Sequence, residues 1–452
     1  MSIVGFFIIL STILYFIYCL INKQIIDFRW YLFLGMILSN MFIGIGYVIN
    51  IGITLPYYMF FQILFCIFSI ILIYISKINI KMRNKNIYSA LIFFSLILVG
   101  IFNLLVSNDL PQIILEYDSF ILGDYYGTYI PYFNEGNRYY LINLVLFLVT
   151  IFLSQDYLIN KEKVISLIKY MKKFYMIYFI ILLFEILISN IFNNTYFRDI
   201  ILFSFGVQDY GKGISDYIFR NGIIGGAVFF PETSYISIVL IYYLLNLKQG
   251  LNSNLEILMH YISMVLLLLS GSSAGAMLLP LAIIISLKEI INKRKKYIHG
   301  LFLLCYICII INLIYIYSDI FYMFKDILIS KINSYLSGEE SNDIISYSGL
   351  ARNFGNEQAY KIFIEEPFWG IGLGSIWAFG IIPSALANMG IIPLLAYSIY
   401  IKYNFYISIY KRNILLLIIL VLYCTSIYQF NYLFTPFAFA LFILFNVNLR
   451  RC

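Results

Sequence analysis

Charge is what this sequence is shortest of. Asp, Glu, Lys and Arg make up 12% of the 452 residues while 62% are hydrophobic, which points away from the two or three soluble domains that the length would allow. Histidine occurs only at His260 and His299, too few for a histidine-built metal centre or a histidine-assisted nucleophile on the far side of a membrane from them. No Walker sequence occurs, so ATP is not a direct energy source on this reading. Of the six cysteines, all but Cys452 lie in apolar runs, which argues against a disulfide framework. Cys305 and Cys308 form a CxxC inside "LFLLCYICIIINLIYI", a setting that suits packing against lipid or core rather than metal or redox work.

What the sequence has instead is apolar runs of about 20 residues, the length that crosses a bilayer. They recur near 3–21, 30–49, 56–76, 88–107, 139–154, 174–193, 222–247, 255–270, 272–287, 297–317, 368–401, 413–430 and 432–448. These predict an all-α polytopic membrane protein of 12 to 14 transmembrane helices, with residues 1–452 forming one transmembrane domain. The first run lacks a basic n-region and a cleavage site, so it is read as a retained helix.

The formal charge of +7 points away from nucleic acid once its distribution is followed. Alternate connections between the spans hold 22 of the 30 Lys and Arg residues on one side against eight on the other. The positive-inside rule then puts the richer side in the cytoplasm. Three connections on the opposite side, 108–138, 194–221 and 318–367, exceed what a tether needs, and long loops tend to carry function.

Glycine-rich stretches fall on that same outer face. "NGIIGGAVFFP" opens the seventh span, "SGSSAGA" joins the eighth to the ninth, and "GIGLGSIWAFGIIP" opens the eleventh. Backbone that is not helical is tolerated at membrane depth only inside protein or along a cavity, so three breaks on one side suggest one outward-facing cavity. Small residues in "SGSSAGA" equally suit close helix packing. Pro231 fits a first helical turn, which puts Glu232 there too, either as a capping carboxylate or as a group facing the cavity.

The eight outer cations are Arg138, Arg198, Lys212, Arg220, Lys325, Lys331, Arg352 and Lys361. Arg220 precedes "NGIIGG", and Arg352 with Lys361 precedes "EEPFWGIGLGS". A guanidinium matches phosphate oxygens in pairs and stays charged, so arginines at a cavity rim suggest a phosphate-bearing ligand, although an arginine at a span end is also a common interfacial anchor. Arg198, Lys212 and Ser234 join the candidate substrate contacts. So does Glu185, set in the apolar run "FYMIYFIILLFEILISNIFN", where a carboxylate is expensive and marks a functional or paired position. The acidic doublets in "GEESND" and "IEEP" read as solvated loop charge. Tyrosine and phenylalanine, 42 and 41 residues, are abundant enough to offer sugar-stacking platforms, but composition does not pick out which.

The chain resembles the Wzy-type O-antigen polymerases, within the wider superfamily of polymerases and O-antigen ligases that has a GT-C-type membrane fold. The resemblance lies in "FRNGIIGGAVFFPETSYIS", "LLLLSGSSAGAM", "LARNFGNEQAYKIFIEEPFWGIGLGS" and "ALANMGIIPLLAYSIYI", about residues 200 to 410. The ligase branch usually carries a histidine where this chain has "SIWAFGIIPSALANMG", which favours a polymerase. The resemblance implies an inner-membrane enzyme that joins undecaprenyl-diphosphate-linked repeat units on the periplasmic face, with no metal or other cofactor and with a chain-length regulator as a further candidate partner. By analogy Arg352 and Arg220 clamp the diphosphate with Lys361 in support, and Glu232 orients or deprotonates the acceptor hydroxyl. A lipid-linked oligosaccharide flippase, or a ligase, is the competing reading.

Overall fold

The computed structural model describes residues 2–42, 47–51, 53–75, 78, 84–106, 113–117, 125–129, 133, 135–192, 196–205, 219–220, 223–224, 237–269, 273–291, 296–316, 344–376, 378, 380–405 and 433–444. In chain order the elements are α1 (Ile3–Ile21), α2 (Ile25–Phe42), β1 (Tyr47–Ile51), β2 (Ile53–Pro56), α3 (Tyr57–Tyr74), α4 (Asn84–Val106), β3 (Ile113–Tyr117), β4 (Tyr125–Tyr129), α5 (Glu135–Leu153), α6 (Gln155–Ile159), α7 (Lys161–Phe192) and α8 (Tyr196–Ser204). They continue with β5 (Phe219–Arg220), β6 (Ile223–Ile224), α9 (Ser237–Gln249), α10 (Asn254–Leu269), α11 (Ser273–Ile291), α12 (Lys296–Ile316), α13 (Ile344–Glu365), α14 (Ile381–Met389), α15 (Ile391–Asn404) and α16 (Pro436–Leu444). Each pair of strands forms its own two-stranded antiparallel hairpin.

The chain is a mostly helical polytopic membrane protein. Among the described residues five helices are long and apolar enough to cross a bilayer, and the bent pair α14–α15 makes a sixth if counted as one broken span. Their surfaces say which solvent they face. The 19-residue α1 buries only Gly5, Thr12 and Cys19 and turns Phe6, Phe7, Ile13, Leu14 and Ile21 outward. A face that apolar is stable only against lipid tails. At about 1.5 Å per residue the 32 residues of α7 outreach the roughly 30 Å hydrocarbon core. Its first turns, with Lys161, Lys163, Lys169, Lys172 and Lys173, carry the excess.

Two sequence expectations change. The run 30–49 does not continue as a helix: α2 ends at Phe42, and residues from Tyr47 to Pro56 form the hairpin β1–β2. Val48, Ile49, Ile51, Ile53 and Thr54 are β-branched, which suits a pleated strand better than a helix. Hydropathy alone does not separate these outcomes. The connection 318–367 is not a bare loop either, since α13 occupies its second half.

The backbone packs as two compact units, each assembled from three stretches of sequence. The first comprises residues 1–80, 156–317 and 439–444; the second comprises 81–155, 318–438 and 445–452. In the first, α2 packs on α3 and α7, and α10 packs on α7, α11 and α12. In the second, α15 packs on α4, α14 on α13, and β3 lies against α13.

Candidate functional site

The second unit contains the one glycine-broken stretch that is described almost throughout, residues 366–380 between α13 and α14. Its shape follows from its sequence. Glu366 precedes Pro367, and a residue before proline is disfavoured in the α region, so α13 stops at Glu365. Gly370, Gly372 and Gly374 then adopt φ of 64°, 95° and 85°, a region that side chains with a Cβ rarely enter. Pro383 falls in the first turn of α14, where its missing N–H is not needed. Gly390, φ 67°, ends α14 and begins α15 at a bend of 115°.

Close approach fixes two of these glycines as firmly as φ does. A Cβ on Gly390 would lie 2.5 Å from the Phe368 carbonyl, and one on Gly370 would lie 2.6 Å from the Ala387 carbonyl oxygen. The segment therefore lies directly against the α14–α15 corner. Ile371 N–H donates to the Ala387 carbonyl at 2.9 Å and Ile391 N–H to the Pro367 carbonyl at 2.9 Å.

Backbone outside a helix leaves donors and acceptors that lipid cannot satisfy. Here neutral polar side chains meet them. Asn388 Oδ1 accepts the Ile376 N–H at 3.1 Å while its Nδ2 donates to the carbonyls of Ile376 and Ser384 at 2.8 and 2.7 Å. Ser384 Oγ accepts the Ala378 N–H at 2.9 Å and donates to the Ala378 carbonyl at 3.0 Å. From α13, Asn356 Oδ1 accepts the Gly380 N–H at 2.8 Å. From α5, Asn137 Nδ2 donates to the Leu373 carbonyl at 2.8 Å and to Ser375 Oγ at 3.0 Å. Beneath them, Ile371, Ile376 and Ala378 form an apolar floor with Leu104 of α4, Ala359 and Ile362 of α13 and Ala387 of α14, and Phe133 packs against it. The result is a rigid irregular segment braced on α4, α5, α13 and α14.

Arg352 lies on α13, one turn before Asn356 and two before Ala359, so the helical period puts position 352 on the stripe of α13 that meets the glycine segment. Lys361 is nine residues further on, half a turn out of phase, on the opposite face. It is exposed and paired with Glu357 at 3.3 Å. Arg220 belongs to strand β5, paired with Ile223 of β6 in the first unit, and Arg198 to α8; their side chains and that of Arg352 lie outside the described residues. Lys212, Glu232 and Ser234 lie wholly outside them, as does the stretch 225–236 in which a helix restart at Pro231 was expected. Glu185 lies within α7, buried to 1% exposure, in the first unit. His260 and His299 are also buried there, and Cys305 and Cys308 are exposed on α12 and form no disulfide. The braces Asn137, Asn356, Ser384 and Asn388 carry no motif of their own, so only the glycines they hold announced them.

Fold and site together define a class, a polytopic helical membrane protein with a polar-braced, non-helical segment beside an arginine-bearing helix. No family model, no curated protein and no solved structure matches the chain.

Proposed function

We propose that the chain is a polysaccharide polymerase of bacterial inner membranes, with a GT-C-like fold and its reaction centre facing the periplasm. The observation that carries this reading is the braced glycine segment against the helix bearing Arg352. Rigid irregular backbone beside a helix that carries an arginine on the facing stripe suits a lipid-linked phosphate ester, whose head group is polar and whose tail is apolar. The substrates are undecaprenyl-diphosphate-linked oligosaccharide repeat units.

In the reaction an acceptor hydroxyl oxygen attacks the anomeric carbon of the donor glycan. The new glycosidic C–O bond forms, the bond from that carbon to the diphosphate oxygen breaks, and the acceptor's proton leaves to a base. A lipid diphosphate is already a good leaving group, so the protein's work is positioning and charge stabilisation. Arg352 pairs with the departing diphosphate in this account, Arg220 supplies a second contact, and Glu232 orients the acceptor hydroxyl or takes its proton. No metal or other cofactor enters the scheme. Lys361, on the other face of α13, has no role in it.

The test is glycan length in cells that depend on this chain. Arg352→Ala is expected to cut long-chain product about 100-fold or more, the usual effect of removing one charge-stabilising donor, while single repeat units still form on the lipid. Normal chain lengths from a normally expressed Arg352→Ala protein would remove the assignment. Repeat units trapped on the cytoplasmic leaflet would point to a flippase.

A further inference from the structure

The early turns of α7, α10 and α12 and the last turns of α9 and α11 gather at one end of the first unit. Lys172 of α7 donates to the carbonyl of Gly250, between α9 and α10, and Lys288 of α11 donates to the Leu247 carbonyl of α9 at 2.9 Å. Glu289, the next residue, stands where a Cβ on Gly250 would come within 3.1 Å of its Oε1. Helix α11 ends at Ile291 and α12 begins at Lys296.

Charge is sorted at this end. The carboxylates turn inward: Asp156 pairs with Arg29, Glu256 accepts the Asn252 N–H at 2.7 Å and lies 3.7 Å from Lys172, and Glu289 is buried. Asp27 and Glu162 stay exposed. The lysines turn outward. Lys161, Lys169, Lys173, Lys288 and Lys296 are exposed and Lys163 is half-buried, and among the described residues none of the six forms an ion pair. Three of them stand over aromatic rings, Lys163 over Trp30 at 4.8 Å, Lys173 over Tyr170 at 5.8 Å and Lys296 over Tyr297 at 4.9 Å. Lysine beside tryptophan or tyrosine is the mixture that gathers at the level of lipid head groups.

Next to the lysines, on the same helix faces, the exposed residues are apolar. On α7, Lys173 heads a stripe of Ile177, Ile180 and Phe184 at helical spacing; on α11, Ile284 is one turn from Lys288; on α12, Leu301 and Leu304 follow Tyr297. A soluble acidic partner would meet the lysines and leave those stripes uncovered. A molecule with an anionic head and apolar tails covers both.

We propose that this end of the first unit binds anionic phospholipids, with their phosphates on Lys173, Lys288 and Lys296 and their acyl chains along the stripes. Such binding does not depend on the polymerase reading. Native mass spectrometry of the full chain in detergent, titrated with dioleoyl phosphatidylglycerol or with dioleoyl phosphatidylcholine, reads the dissociation constant of each lipid, with thermal unfolding of each variant as the control for folding. The wild type is expected to bind the anionic lipid about tenfold more tightly or better. Lys173→Gln, Lys288→Gln and Lys296→Gln are each expected to weaken it about fivefold, the share of one lysine near an anionic surface, and to leave the neutral lipid unchanged. Lys361→Gln, which removes an exposed lysine from the second unit, is expected to change neither. Equal affinity of the wild type for the two lipids would overturn the proposal, as would a full preference in the folded triple variant or an equal loss in Lys361→Gln. Displacement of the anionic lipid by millimolar inorganic phosphate would mean a plain anion site in which the acyl chains have no part, and would overturn it too. Should Lys288→Gln not fold, since it also loses the bond to Leu247, Lys173→Gln combined with Lys296→Gln carries the test, and an unchanged preference there overturns the lipid surface.

Discussion

The buried pairs of the first unit and the braced glycine segment of the second meet polar groups in different ways. In the first, several buried side chains pair with side chains or with the end of a helix. Arg29, wholly buried, donates to both carboxylate oxygens of Asp156 at 2.6 and 3.0 Å and to Ser69 at 2.8 Å, with its guanidinium 5.3 Å from the Phe65 ring centre and 4.5 Å from that of Tyr157. Lys172 donates to the Gly250 carbonyl beyond the end of α9 at 2.9 Å and lies 3.7 Å from Glu256. His260 and Ser286 bond across two helices at 2.9 Å. In the second unit, Asn137, Asn356, Ser384 and Asn388 hold backbone. The difference follows from regularity. A helix satisfies its own peptide groups except at its ends, so polar side chains on it must find one another. A segment that leaves the helix exposes peptide groups, and an amide side chain, donor and acceptor at once, meets both kinds without taking an ion out of water.

The contrast fixes which lesions can be repaired, and the largest expected effect is in the first unit. Asp156→Ala leaves Arg29 buried with its charge uncompensated, at a cost of about 3 kcal/mol, the low end for a broken buried pair because the Asp156 side chain is 34% exposed. Replacing both partners, Arg29→Met with Asp156→Leu, is expected to restore most of that loss, since apolar residues of similar volume often match a buried pair. Thermal unfolding of the two proteins in detergent measures the difference. A double variant no more stable than Asp156→Ala would show that stacking on Phe65 and Tyr157, not pairing, holds this corner.

Next in size is the second unit's bend. Gly390→Ala demands a side chain at φ 67° and 2.5 Å from the Phe368 backbone, and about 2 to 3 kcal/mol is expected from strain and displacement together. Asn388→Leu follows at about 2 kcal/mol, the cost of leaving buried N–H and C=O groups unmet. No second substitution can rescue it, because the partners are the peptide groups of Ile376 and Ser384. A compensating change elsewhere that brought Asn388→Leu back to wild-type unfolding temperature would break the comparison between the units.

How far these features were legible in the sequence depends on the range of the interaction involved. Helices α1 and α3 sit within two residues of the apolar runs that announced them, since crossing length is a local property. The glycines of "GIGLGS" were legible as a break because only glycine takes φ near 64° to 95° at little cost. Their braces were not. Asn137 is 236 residues from Leu373, and Asn356 is 24 from Gly380, and nothing in "GNRYY" or "RNFGN" declares which backbone those amides will meet. Hairpin β1–β2 was lost in an apolar run because lipid-length hydrophobicity does not report the local backbone.

The smallest expected effect tests whether α13 has a working face and an idle one. Lys361 and Glu357 form an exposed pair, their side chains 57% and 58% accessible, with the acid four residues before the base. That is the favourable order along a helix, yet exposed pairs are worth little, so Lys361→Ala should cost no more than about 0.5 kcal/mol and less still in high salt. Glycan length should be unchanged in the same cells where Arg352→Ala abolishes long chains, because position 361 is half a turn away from the stripe that carries Arg352, Asn356 and Ala359. Short chains from a stable Lys361→Ala protein would mean that substrate reaches both faces of α13, and the glycine segment would then be one wall of a wider site instead of its seat.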